Sequence, residues 1–118
     1  MIKKKKGVVI KGLKQPMRLA IDIAHALVQI AGVDLVITDA VRPAKPGKKS
    51  LHPEGLAIDF RTRDLPAGTD KIVYKALRQL LPTDYQILYY KTHIHIEYQR
   101  YLDDQRPITI DNDLPEVA

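Results

Sequence analysis

The chain has 118 residues and no cysteine, which suits one domain and excludes disulfides, thiolate metal sites and cysteine nucleophiles. Lys and Arg outnumber Asp and Glu by 19 to 14, a net charge of +5 that is compatible with an anionic polymer such as nucleic acid or a teichoic-acid-bearing wall. No apolar run approaches ~20 residues, so no segment is suited to crossing a membrane.

In chain order, residues 1–14 form a basic segment whose run Lys3 to Lys6 is expected to be a solvated tail. Lys11 and Lys14 interrupt the apolar stretch Val8 to Leu13, so no secretion signal is expected. Gln15 to Ala31 reads as a helix, with Ala20, Ile23, Leu27 and Ile30 at three- and four-residue steps and Gly32 as its stop. Val33 to Ala40 (VDLVITDA) is short and β-branched, a strand. Arg42 to Ser50 (RPAKPGKKS) is a loop, and Leu56 to Phe60 (LAIDF) alternates as a strand.

Thr69 is a candidate N-cap for a second helix. That helix carries Val73, Ala76, Leu77 and Leu80 as its apolar stripe and closes at Pro82. Tyr85 to Tyr98 predicts two strands with a tight turn near Lys91. The acidic tail 102–118 is expected to pack loosely along the surface. The order α, β, loop, β, α, β, β predicts one small α+β domain, with helices on one face of a mostly antiparallel sheet and the other face free to carry a site.

Strand parity says what that free face holds. In Thr92 to Tyr98 (THIHIEY), His93, His95 and Glu97 share one face, and Ile94, Ile96 and Tyr98 the other. The apolar set must meet the helices, so both histidines face the open side. In LAIDF the core takes Leu56, Ile58 and Phe60, which leaves Ala57 and Asp59 on the open side. His52 arrives from the preceding loop, and small Ala57 and Gly55 are expected to leave room beside the ligands. Imidazoles and a carboxylate with one open position match a catalytic zinc site better than sites for softer or harder metals; nickel, cobalt, copper and manganese stay open as alternatives. HxH alone is commonplace, but SxHxxGxAxD followed downstream by HxH is far more restrictive.

SLHPEGLAID and HIH resemble the two metal motifs of the zinc D-alanyl-D-alanine carboxypeptidases and related peptidoglycan peptidases. That group shares its core with lysostaphin-type endopeptidases and the amino-terminal Hedgehog signalling domain. The resemblance spans roughly Val33 to Tyr98 and implies a Hedgehog/DD-peptidase-like α+β fold, with His52, Asp59 and His95 as zinc ligands. Arg42, in Val41-Arg42-Pro43, resembles the family arginine that holds a substrate carbonyl or terminal carboxylate, and Ser50 is expected to bind substrate, orient a ligand or cap the loop. Many family carboxypeptidases place an acid three residues before the last ligand, where this chain has Thr92. His93 is the expected general base in its place, as the first His of HxH is catalytic in the lysostaphin-type relatives; Glu97 and Glu54 are fallbacks. Tyr89 and Tyr90 are expected on opposite faces, one of them lining the cleft, and His25 is expected to be structural.

The resemblance implies a zinc peptidase that hydrolyses D-amino-acid-containing peptide bonds of peptidoglycan, as a carboxypeptidase or an endolysin-type endopeptidase. The alternative is an inactive metal-binding module that binds cell-wall peptide. The expected partner is a peptidoglycan peptide. No basic stretch is interleaved with aromatics, so specific nucleic-acid binding is not expected, and the protein is expected to be monomeric. As written the chain would stay cytoplasmic, reaching the wall if exported or released during lysis.

Overall fold

The structure is a computed structural model that describes residues 1–47, 50–100 and 114–118. Its elements, in chain order, are β1 (Ile2–Lys5), α1 (Pro16–Ile30), β2 (Leu35–Asp39), a 3-10 turn (His52–Glu54), β3 (Ala57–Arg61), α2 (Thr69–Leu80), β4 (Tyr85–Tyr89), β5 (His93–Tyr98) and β6 (Glu116–Val117). One six-stranded sheet runs in the order β4-β5-β3-β2-β1-β6.

The sheet is mixed rather than mostly antiparallel. β4, β5, β3 and β2 pair antiparallel along their length, whereas β1 lies parallel to both β2 and β6. The parallel half follows from connectivity: α1 lies between β1 and β2, and a crossover helix returns the chain in the same direction.

Two expectations about the ends change. The lysine run is not a solvated tail, because Ile2–Lys5 is an internal strand of the sheet. Lys3 pairs with Asp34 at 2.8 Å. Lys4 is only 7% exposed; its aliphatic stem lies along apolar surface and its Nζ donates to the Val8 carbonyl at 2.9 Å. In the tail, residues 102–113 lie outside the described residues, but Glu116–Val117 adds a strand to the free edge of β1. There Lys4 N–H donates to Pro115 O and Lys6 N–H to Val117 O, both at 2.9 Å.

The helices lie on one face, and their buried residues share one core with Ile37, Ile58, Phe60, Ile87, Ile94 and Ile96. In α1 the buried stripe is Met17, Ala20, Ile21, Ala24 and Val28. The predicted stripe through Ile23, Leu27 and Ile30 lies off to one side, and Ile30 is exposed. Ala20 is buried as expected, and Ile23 and Leu27 are half-buried against the edge of the core. In α2, Val73 and Leu77 are buried as expected, but Leu80 is exposed and Leu81, just past the helix, enters the core instead. Thr69 is the first helical residue rather than the cap, which falls on Gly68 with φ 82°.

Candidate metal centre

The site stands on the open face of β3 and β5. Their antiparallel register sets Asp59 opposite His95, and Arg61 opposite His93. Ile58, Phe60, Ile94 and Ile96 are fully buried under the helices, so the alternate residues project the other way, as parity requires. His52 comes from the 3-10 turn, which ends at Gly55 with φ 72°. A Cβ on Gly55 would sit 2.2 Å from the Gly12 carbonyl oxygen. The space expected beside the ligands at Gly55 is therefore filled by the Gly12 backbone. The glycine seats the turn that delivers His52, and only a residue without a side chain fits there.

His52 is almost wholly buried, and its Nδ1 lies 2.7 Å from the Ala40 carbonyl. A carbonyl only accepts, so Nδ1 carries a proton and Nε2 is the nitrogen left to face the site. That Nε2 is 3.5 Å from Asp59 Oδ1. His95 lies between two carboxylates, Nδ1 at 2.6 Å from Asp59 Oδ1 and Nε2 at 2.7 Å from Glu97 Oε1. Each of His52, Asp59 and His95 offers one donor atom, all within 4.8 Å of one another. The group could hold a metal ion. The outward nitrogens are already held, His52 by Ala40 and His95 by Glu97, which is how metal-binding histidines are oriented in general.

The electrostatics are those of a cation site carrying protons instead. Burial disfavours charge on Asp59, but hydrogen bonds from His52 and His95 outweigh it and hold the carboxyl well below its usual range. Burial likewise opposes charge on His95, yet Asp59 and Glu97 together push it up to about 9. The His95 hydrogen bond in turn holds Glu97 below its ordinary value. Without metal at neutral pH, His95 donates from both nitrogens. A metal would replace the Nδ1 proton, and the Nε2–H bond to Glu97 would persist.

No protein-family profile, curated protein or solved structure matches the chain. The chemistry of the site is therefore carried by its own donors and their surroundings.

Those surroundings form a cleft of about 600 Å³ that brings Arg42, Ser50, His93, Tyr90 and Glu97 to the three candidate ligands. Arg42 donates from Nε to Asp39 Oδ2 at 2.6 Å and from Nη1 to Pro43 O at 3.4 Å. Ser50 Oγ accepts the His52 backbone N–H at 3.2 Å, which steadies the start of the turn that carries His52, whose N-cap is Leu51. His93 points Nε2 toward Asp59 Oδ2 at 3.8 Å. Its Nδ1 is 2.9 Å from Thr92 Oγ1, and its ring stacks on Tyr90 with centroids 4.7 Å apart. Of the two tyrosines, Tyr90 lines the cleft, while Tyr89 packs against the core and donates to Asp70. Glu54 is exposed and does not line the cleft. His25 lies on α1, away from the site, and burial lowers its pKa.

Of the charged cleft residues not singled out from the sequence, Asp39 comes nearest the three candidate ligands. Asp39 lies opposite Asp59, with its Oδ2 3.8 Å from His52 Nε2. Strict alternation from buried Ile37 would turn Asp39 into the core. A register shift between Ile37 and Asp39 inserts an extra residue and re-aims the carboxylate to the open face. The only sequence signal was its place three residues before Arg42, a spacing that ion pairs often use.

Proposed function

We propose that the protein is a zinc peptidase of the Hedgehog/DD-peptidase type, acting on D-amino-acid-containing peptide bonds of peptidoglycan. One observation carries this: His52 Nε2, the Asp59 carboxylate and His95 Nδ1 converge at one end of an open cleft while their outer partners are already in place. Two imidazoles and a carboxylate with room for a fourth partner is the donor set of a catalytic rather than a structural zinc site. Zinc, when bound, supplies Lewis-acid activation of a water and of the scissile carbonyl.

The remaining roles fall to the chain's own residues. His93 is the general base. With the tautomer that carries its proton on Nδ1 toward the Thr92 hydroxyl, and with the ring stacked on Tyr90, its Nε2 takes the water's proton and returns it to the leaving amine. Glu97 is committed to His95 and Glu54 lies off the cleft, so neither competes for that role. Arg42, steadied by Asp39, turns its remaining donors to a substrate carbonyl or carboxylate. Ser50 assists at the rim.

Zinc analysis of the purified protein and mass-spectrometric digestion of muropeptides test this together. About one equivalent of zinc is expected, with turnover in the wild type and loss of turnover in His93→Ala at unchanged zinc content. Less than half an equivalent after zinc loading would remove the metal site. Full zinc with no turnover on any muropeptide would leave a metal-binding module that holds cell-wall peptide without cutting it, a second reading favoured by Thr92 standing where an acid is usual.

A further inference from the structure

The open face carries a second row beside the metal donors, and its chemistry is opposite. Lys5 of β1, Thr38 of β2, Arg61 of β3 and His93 of β5 line a hollow of about 420 Å³, with Arg63 and Lys91 on its rim and Ala118 on its far wall. His93 lines both this hollow and the metal cleft, so one side chain is their common wall. Arg61 pairs opposite His93 just as Asp59 pairs opposite His95. The basic row thus lies two residues along the strands from the metal row, roughly 7 Å away.

Its charge is compensated only in part. Arg61 bonds Asp64 at 2.6 Å, whereas Lys5, Arg63 and Lys91 have no carboxylate partner among the described residues. Cations gathered in a concave site raise the local concentration of anions. The metal cleft beside it mixes the two signs, with Asp39, Asp59 and Glu97 standing among Arg42 and Lys45. An acidic side group on a peptide lying across the face is therefore favoured over the hollow, whose lining has no acidic side chain. At about 3.3–3.6 Å per extended residue, a 7 Å offset corresponds to one or two residues.

We propose that this basic hollow is an anion subsite beside the metal cleft, taking a carboxylate of the bound peptide one or two residues from the scissile bond. The proposal rests on the peptidase reading above. The test uses the zinc-loaded full chain and two synthetic D-alanine-containing peptides, identical except that one side carboxylate is free or amidated. Wild type is expected to favour the free acid by about ten-fold in kcat/KM, the scale of one modest charged contact, with the difference in KM. Arg63→Gln combined with Lys91→Gln, both exposed positions, is expected to abolish that preference by bringing kcat/KM for the free acid down to that for the amide. Equal turnover of the two peptides by wild type overturns the subsite, as does an equal loss on both in the variant. If neither peptide is cleaved the peptidase reading falls, and calorimetric binding of the same peptides decides the subsite. Preference for the acid that disappears in the double variant upholds it; equal or absent binding by wild type removes it.

Discussion

Two neighbouring rows of one sheet face do different work with nearly the same backbone. The row through Asp39, Asp59 and His95 is carboxylate-rich and mostly buried, and its polar atoms hold one another in place. The row through Lys5, Arg61 and His93 is basic; Lys5 is exposed with no carboxylate partner among the described residues, while Arg61 pairs with Asp64 and His93 faces Asp59. The difference teaches that burial, rather than residue type alone, separates a preorganised site from a steering surface. Desolvated carboxylates and imidazoles perturb one another strongly, whereas exposed lysines and arginines are screened by water and salt.

Substitutions in the first row should break the comparison most severely. Asp59→Ala removes a donor outright, and its zinc affinity should fall by more than the ~100-fold that marks the upper end for an outer partner; competition with a chromogenic chelator measures it. Glu97→Ala should follow, weakening zinc by about 10–100-fold because His95 loses the acceptor that leaves Nδ1 free for metal. Glu97→Gln, whose side-chain oxygen can still accept from Nε2, should lose less. Equal affinity in Glu97→Ala and wild type would show that His95 is oriented by packing alone.

A smaller effect is expected from pH. His95 is raised from 6.5 to about 9 in the folded metal-free protein, so its stabilisation is complete below about pH 6.5 and is lost as pH rises through about 9. The Tm of the metal-free protein should therefore decline across that window, followed by thermal denaturation at stepped pH. The zinc-loaded protein should show no such decline, because the Nδ1 proton has already left. A metal-free Tm that is flat or rising from pH 6.5 to 9 would contradict the proton-bridged network. The smallest effect belongs to the basic row: Arg63→Gln with Lys91→Gln should leave zinc affinity at the wild-type value. A clear loss there would mean that the rows are coupled through His93.

Much of the open face was legible before any coordinates. Alternation in LAIDF and HIHIEY placed Asp59, His93 and His95 together, because a half-buried strand cannot present both of its faces to one core. The helices and the β4–β5 turn were legible for a similar reason, although in α1 Ile23 and Leu27 are only half-buried and Ile30 is exposed. Other features were hidden because they depend on partners remote in sequence. The strand at Ile2–Lys5 exists because β2 and β6 supply its hydrogen bonds, and a four-lysine run carries no local sign of that. Glu97 stood in the sequence only as a fallback base, whereas its Oε1 lies 2.7 Å from His95 Nε2.

By itself, then, the sequence determined which residues share the open face and that imidazoles and a carboxylate meet there, since side-chain alternation is a local property of the strand. Only the tertiary structure decided the second carboxylate, the ligand nitrogens and the neighbouring basic row. Asp39 reaches the cleft through a bulge defined by β3, His52 exposes Nε2 because Ala40 holds Nδ1, and Lys5 joins Arg61 through strands far apart in the chain. Each depends on a hydrogen bond or a pairing that forms only once distant segments have packed.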